Sequence, residues 1–276
     1  DYASNYEHIF GYWMKEGKIN RRKNDELVAQ CVALRYALKE NKKYSVTHQT
    51  LDAMYDEDNV DGKVIASFWG STKPLLDKTM SIINSQKKII KEDVKKNTIS
   101  WFVDLFMLIC YFTDENIAVN NNKKVFSWFW NNYQKRIGSR EIFQKKRTKN
   151  GGIANETFDS LSDSQRTTTL PIRHDCIVSD FYNKSKLLEN GIVTQVPSDN
   201  YATYQDKLDL YKRQKGVAHD PKTNKPNGVT IPLEELYNSK KWQADAIIPR
   251  RFGGFHVLDN MQLTSAHDNH SAGAKK

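Results

Sequence analysis

The sequence predicts an α+β protein, in which a helical N-terminal region is followed by a small C-terminal ββα unit. Three observations support this fold class. Apolar residues recur at three- and four-residue steps through the first half, as in amphipathic helices. Basic residues and glycines accumulate near residue 150, where a connector is expected. The last seventy residues alternate in polarity between turn-rich segments, which is typical of short strands.

The helices of the first half follow from the spacing of apolar residues. Asp25–Leu38 carries one apolar stripe and predicts an amphipathic helix. Further helices are predicted within Val64–Val94, where Pro74 is expected to open or kink a helix. Trp101–Phe112 is apolar nearly all round, which predicts a central buried helix. Val125–Tyr133 predicts the last helix, whose aromatic residues we expect in the core, because a base-stacking surface would need them exposed.

These patterns divide the chain into three parts. Residues 1–150 form a helical domain with a basic C-terminal edge, residues 151–200 a connector of uncertain structure, and residues 201–276 the domain that contains the ββα unit. Lysines and arginines dominate Lys135–Gly152. A solvated helix end is the default interpretation of that run, and a phosphate-contacting edge is the alternative.

Composition narrows the class of protein. The chain has 276 residues, with 42 Lys+Arg against 33 Asp+Glu, a net charge of +9 and a pI near 9.2, which favours a polyanionic partner. A mean hydropathy of −0.71 and the short apolar stretch Trp101–Phe112 argue against an integral membrane protein, since a spanning helix needs roughly 20 apolar residues.

The cysteines and the first residues bear on the compartment. The three cysteines are far apart and form no CxxC pair, which disfavours a disulfide framework or a structural zinc site and favours a reducing cytoplasm. Asp1–Tyr6 lacks the basic start and apolar run of a signal peptide. The chain also starts without an initiator methionine, so we expect it to be a fragment of a longer protein.

The last seventy residues predict a strand, a loop, a second strand and a helix. Lys240–Pro249 predicts the first strand and Leu258–Thr264 the second, with two adjacent glycines in the loop between them. His267–Lys276 predicts the beginning of a helix. Upstream, Tyr211–Gly216 (YKRQKG) precedes a turn-rich segment. Polar residues are thereby expected to converge at the centre of a small ββα unit.

One set of residues within this unit resembles the HNH, or ββα-metal, nuclease motif. The set is Asp245-Ala246-Ile247-Ile248-Pro249, Gly253-Gly254, Leu258-Asp259-Asn260 and Asn269, preceded by the Y-x-R-Q-x-G of Tyr211–Gly216. Asn260 follows position 246 by fourteen residues, and Asn269 follows Asn260 by nine. These gaps are similar to those of HNH domains in RNA-guided nucleases and restriction enzymes.

The resemblance implies a role for each of these positions. Asp245 and Asn269 would hold one divalent cation, Mg²⁺ or Mn²⁺, whose remaining ligands are waters and phosphate oxygens. Asn260 would brace the loop and so orient residue 246, which in the family is a histidine that acts as general base. Here that position is Ala246, which accepts no proton, so a rate loss of about 10²–10⁴-fold is expected. The chain as given is therefore expected to be inactive or severely impaired.

Two explanations for Ala246 stay open, an engineered His→Ala substitution in an intact site and a native pseudo-nuclease that binds without cutting. His267 and His270, which flank Asn269, are alternative candidates for a ligand or a base. Basic residues near the motif are candidate contacts to nucleic-acid phosphates. These basic residues are Arg250, Arg251, Lys275 and Lys276.

The first half more faintly resembles the helical region that follows a ParB-like domain in large bacterial proteins ending in HNH nucleases, a group that includes GmrSD-type restriction systems. The residues concerned are Arg22–Leu34 and Ser127–Tyr133. The resemblance implies a bacterial, cytoplasmic endonuclease of restriction or anti-phage defence that acts on double-stranded DNA, without a membrane, and with a ParB-like domain outside this sequence. The alternatives are a non-catalytic DNA-binding or sensing module and a structural protein that docks through its helical half.

Overall fold

The computed structural model describes residues 21–40, 48–56, 58–86, 100–139, 141–147, 153–162, 169–196, 202–248 and 258–273. These residues combine helices with small antiparallel sheets, which is the α+β class predicted from the sequence. They form two compact units. The first comprises the described residues up to Thr113 and from Val119 to Asp180, and the second comprises Asp114–Ala118 and those from Phe181 onward.

The elements follow in chain order. Those up to residue 184 are α1 (Arg21–Lys39), α2 (His48–Tyr55), α3 (Val60–Ser67), α4 (Trp69–Asn84), α5 (Ser100–Asp114), β1 (Ile117–Val119), α6 (Asn122–Ile137), β2 (Ile142–Arg147), β3 (Ile153–Thr157), α7 (Phe158–Ser162) and α8 (Thr169–Lys184). Those after residue 184 are β4 (Val193–Gln195), α9 (Tyr204–Arg213), β5 (Val217–His219), β6 (Pro226–Thr230), β7 (Trp242–Ala246), β8 (Met261–Ser265) and α10 (Ala266–Gly273), with 3₁₀ turns at Leu233–Glu235 and Leu258–Asn260.

The strands pair two by two. β1 pairs with β4, and β2–β3, β5–β6 and β7–β8 are antiparallel pairs. The segment 151–200, predicted from the sequence to be a connector of uncertain structure, contains β3, α7, α8 and β4. One of the boundaries between the two units falls within α8. In the described part of the chain, no helix is long and apolar enough to cross a membrane.

Helix α5 is buried along almost its whole length, as its all-round apolar sequence predicts. Every side chain from Ser100 to Cys110 is buried. The indole of Trp101 packs edge-on against Phe126 and Trp130 of α6, at ring-centroid distances of 6.3 and 5.6 Å. Aromatic side chains of this region thus form the core of the first unit, as expected, and contribute to its stability through burial and edge contacts.

Pro74 does not open a helix, and a kink at Pro74 stays a prediction. The helix break lies at Phe68, where α3 ends and α4 begins, and Pro74 lies inside α4. The Phe68 N–H donates to the carbonyl of Ile65, a tight 3₁₀-type closure that ends α3. Leu75 and Leu76, directly after the proline, are buried. Their packing keeps the helix intact at Pro74, where one main-chain hydrogen bond is missing because proline has no N–H.

A buried ion pair joins α5 to α8 within the first unit. Asp104 and Arg173 have fully buried side chains, and Nη2 of Arg173 lies 2.9 Å from Oδ1 of Asp104. Nε of Arg173 donates to Oδ2 of Asp104 at 3.1 Å, and Nη1 donates to the carbonyl of Leu161 at 2.8 Å. Burial raises the pKa of Asp104, and the Arg173 guanidinium opposes that shift. Each charge is therefore compensated only while its partner is present.

Breaking this pair is expected to be costly. Replacing Asp104→Asn leaves the guanidinium of Arg173 buried without its counter-charge, so the free energy of unfolding should fall by about 3–5 kcal/mol. The matched control is Asp77→Asn, which removes the exposed Lys73–Asp77 pair and should change stability by less than about 1 kcal/mol. Urea unfolding followed by tryptophan fluorescence measures both. Equal, small changes in the two variants would contradict this assessment.

Candidate functional site

The two predicted strands and the helix that follows them are present in the second unit. β7 and β8 pair in an unbroken antiparallel register that runs from Trp242 opposite Ser265 to Ala246 opposite Met261. α10 begins directly after β8, and the N–H of its first residue, Ala266, donates to the carbonyl of Lys241 at 2.8 Å. A regular register fixes which side chains share a face, since side chains alternate along a strand.

One face of the β7–β8 hairpin is apolar and belongs to the core of the second unit. Trp242, Met261 and Leu263 of the hairpin pack in one cluster with Leu210 of α9, and Ala244 packs against that cluster. Because side chains alternate, Gln243 and Asp245 lie on the opposite face of β7. The hairpin therefore has one face that anchors it and one that carries polar groups.

Two residues of the Tyr211–Gly216 segment bind the outer edge of β8. The Gln214 side chain accepts from the N–H of Leu263 at 2.6 Å and donates to the carbonyl of the same residue at 3.1 Å. Arg213 donates from Nη2 to the carbonyl of Met261. The carboxamide of Gln214 thus supplies one donor and one acceptor, as a neighbouring strand would. These contacts account for the Arg-Gln pair upstream of the motif.

Asn260 connects the ends of the segment between the two strands. Its side-chain oxygen accepts from the N–H of Ile248 at 2.9 Å, and its side-chain nitrogen donates to the carbonyl of Ile248 at 2.9 Å. Its main-chain carbonyl accepts from the N–H of Ile247 at 2.8 Å. The pairing of β7 and β8 is thereby prolonged beyond Ala246. That this contact orients residue 246 stays a prediction.

Asn269 lies over the polar face of β7. Its Nδ2 donates to Oε1 of Gln243 at 2.8 Å, and Nε2 of Gln243 donates to the carbonyl of Ser239 at 3.2 Å. Gln243 and Asp245 are two residues apart on one strand, so they project from the same face. The Asn269 amide and the Asp245 carboxylate, the two expected ligands, are consequently on the same side of β7.

The side chain of residue 246 lies on the face of β7 opposite that of Asp245. Ala246 is the last residue of β7 and pairs with Met261 without a bulge. The alternation of side chains therefore directs its methyl group to the face opposite Asp245. Ala246 thus follows Trp242 and Ala244 on the face that packs against the core, at the end of the strand.

The other expected residues are exposed histidines of α10 or lie outside the described residues. His267 is 89% exposed and lies 3.4 Å from the Asp268 carboxylate, and His270 is also exposed. Helix geometry puts His267 about 200° around α10 from Asn269, so the two side chains leave opposite sides of the helix. Gly253-Gly254 and all four basic candidates fall outside the described residues. The latter are Arg250, Arg251, Lys275 and Lys276.

The residues present fit a hard cation better than zinc. Over the described ranges, no three His, Cys, Asp or Glu side chains group as a metal site. Asp245 offers carboxylate oxygens, and the hydrogen bond of Nδ2 to Gln243 leaves Oδ1 as the free end of the Asn269 amide. Carboxylate and amide oxygens are donors of the kind that Mg²⁺ and Mn²⁺ prefer.

A polar cavity next to Asn269 was not expected from the sequence. It has a volume of about 440 Å³, and Lys207, Glu115, Gln243 and Asn269 are among its lining residues. Lys207 is buried, and its Nζ donates to the carbonyl of Trp242 at 3.1 Å. Burial lowers the pKa of Lys207, while Glu115 opposes the shift. Glu115 comes from a segment far upstream of the rest of the second unit, and no local pattern indicates that placement.

Comparison of the chain with family models, with curated proteins and with solved structures found no significant match. Any functional assignment therefore depends on the arrangement of the β7, β8 and α10 side chains.

The edge contact of Gln214 predicts a large effect on stability. Gln214→Ala leaves the buried N–H and carbonyl of Leu263 without their side-chain partner, so the free energy of unfolding should fall by about 2–6 kcal/mol, at 1–3 kcal/mol per group. Gln205→Ala on the preceding helix removes an exposed contact to Asp209 and should change stability by no more than about 0.5 kcal/mol. Chemical denaturation of both variants measures these changes. Equal losses of stability in the two variants would contradict a stabilising role of the Gln214 contact with β8.

Proposed function

We propose that the second unit is a metal-dependent endonuclease of the HNH, or ββα-metal, class that hydrolyses phosphodiester bonds in double-stranded DNA. One observation gives the proposal its strongest support. The amide of Asn269 is held by Gln243 over the same face of β7 from which Asp245 projects. The resemblance to the HNH motif implies that both residues are ligands, and the side-chain contacts suit that role.

Phosphodiester hydrolysis requires neutralisation of the phosphate charge and stabilisation of the leaving oxygen. A bound Mg²⁺ or Mn²⁺ supplies both. Asp245 and Asn269 would hold it through a carboxylate oxygen and Oδ1, respectively. Asn260 keeps the strand end closed through its two hydrogen bonds to Ile248, which favours a fixed approach of the substrate to these residues.

The resemblance to the HNH motif assigns the general base to position 246, the last residue of β7. In phosphodiester hydrolysis a general base takes the proton from the attacking water. A histidine at position 246 would lie next to Asp245 at the end of the strand and would supply that base. Ala246 offers no proton acceptor, so this chain should be slower than the histidine form by about 10²–10⁴-fold.

Charge supports a polyanionic substrate. The net charge of +9 favours binding to DNA phosphates through counterion release, which weakens steeply as salt is raised. In the first unit, the β2–β3 hairpin carries Lys145, Lys146 and Arg147 on consecutive positions. The assignment to bacterial restriction or anti-phage defence, with a ParB-like domain elsewhere in the protein, is supported by the resemblance of the first half alone.

A non-catalytic DNA-binding or sensing module is the second candidate, and Ala246 is the observation that favours it. Such a module would keep the Asn260 and Asn269 contacts for their contribution to the fold. It would bind DNA in a salt-dependent way but would not cut after a histidine is restored.

Cleavage of supercoiled plasmid in Mg²⁺ or Mn²⁺ separates the two candidates. Ala246→His should convert the plasmid to nicked or linear product at least about 10²-fold faster than the parent chain, because it restores the general base. The control Asp245→Ala, made together with Ala246→His, removes an expected ligand and should abolish the gain. If Ala246→His binds DNA as well as the parent does and cuts no faster, the endonuclease proposal is overturned.

A further inference from the structure

The geometry points to Gln243 as a positioning residue that orients the side-chain amide of Asn269 so that its oxygen faces the divalent cation. The inference rests on the proposed function, because it concerns the expected cation site. Gln243 is not among the residues to which the HNH resemblance assigns a role.

An asparagine ligand presents an ambiguity that an aspartate does not. One end of the amide is an oxygen that can bind a cation, and the other end is an NH₂ group that only donates hydrogen bonds. Rotation of the amide by about 180° exchanges the two ends at little steric cost. A cation site that uses Asn269 therefore needs a neighbour that distinguishes oxygen from nitrogen.

Gln243 makes that distinction through a chain of hydrogen bonds with a fixed direction. The chain begins at the main-chain carbonyl of Ser239, which can only accept. It accepts from Nε2 of Gln243 at 3.2 Å, so Oε1 of Gln243 is the end that meets Asn269. Oε1 in turn accepts from Nδ2 of Asn269 at 2.8 Å. A rotated Asn269 amide would set oxygen against oxygen, so Oδ1 is directed away from Gln243.

The start of this chain is itself held in place. The Oγ of Ser239 donates to Oε1 of Glu115 at 2.7 Å, and the N–H of Trp242 donates to the carbonyl of Asn238 at 2.9 Å. The backbone of Gln243 pairs with Thr264 in the β7–β8 register. Gln243 is therefore anchored by its backbone and its side chain, as a residue that fixes a ligand must be.

Mn²⁺ binding to the full chain, measured by electron paramagnetic resonance titration, tests the inference without depending on cleavage. Gln243→Met keeps the length of the side chain and removes both hydrogen bonds, and it should weaken Mn²⁺ affinity by about 10–100-fold. The control is Gln205→Met on α9, which removes an exposed contact to Asp209 and should leave Mn²⁺ affinity unchanged.

A second background separates positioning from a merely structural role. Asn269→Asp presents an oxygen at either end, so the orientation of the side chain no longer matters. Gln243→Met should therefore cost little Mn²⁺ affinity in the Asn269→Asp background. An equal loss in both backgrounds would overturn the inference, since a structural defect weakens binding whichever ligand is present.

The outcomes distinguish this inference from the proposed function. Parent binding of Mn²⁺ that is lost in Asp245→Ala but unchanged in Gln243→Met overturns the role of Gln243 and leaves the cation site intact. Equal Mn²⁺ binding by the parent and Asp245→Ala, or no binding by either, overturns the site and the inference together. Loss in Gln243→Met with rescue in the Asn269→Asp background supports both.

Discussion

The antiparallel register of β7 and β8 is the constraint on which the candidate site depends. Asp245 pairs with Gln262 and Ala246 with Met261. A slip of one residue would exchange the faces on which Asp245 and Ala246 lie, because side chains alternate along a strand. The register is held from one face by the apolar cluster around Trp242. The contacts that fold the second unit therefore also keep Asp245, the expected cation ligand, and position 246, the expected position of the base, on opposite faces of β7.

Three neutral carboxamides complete this arrangement. Gln214 pairs with the edge of β8, Asn260 extends the strand end, and Gln243 directs Asn269. Each amide offers a donor and an acceptor. It can therefore bond to a main-chain group, or determine which end of a neighbouring amide faces it. A charged side chain in these partly buried positions would carry a larger desolvation cost. Amides therefore shape the site without adding charge of their own beside the Asp245 carboxylate.

Several features follow from sequence because they depend on local pattern. The all-round apolarity of Trp101–Phe112 predicts a buried helix, and alternation around two turn-rich segments predicts the order of β7, β8 and α10. The glycine that closes the Tyr211–Gly216 segment also has a local cause. Gly216 has φ of +70°, and a Cβ there would lie 2.9 Å from the hydroxyl of Tyr211, so a side chain would be strained as well as crowded.

Other features depend on contacts between distant parts of the chain. The placement of Asp114–Ala118 in the second unit has no local signal. Pro74 lies within a helix because buried neighbours outweigh its lost hydrogen bond. The role of Gln243 depends on which end of an amide faces which neighbour, and residue type alone carries no such information. The resemblance to the HNH motif could identify Asp245, Asn260 and Asn269, but only the folded arrangement relates them to Ser239 and Gln243.

Anomalous scattering from Mn²⁺-soaked crystals of the chain tests the central claim most directly. The account predicts a single strong peak within coordination distance of an Asp245 carboxylate oxygen and of Oδ1 of Asn269, with Nδ2 still bonded to Gln243. Manganese bound elsewhere, with no peak beside Asp245 and Asn269, would contradict it.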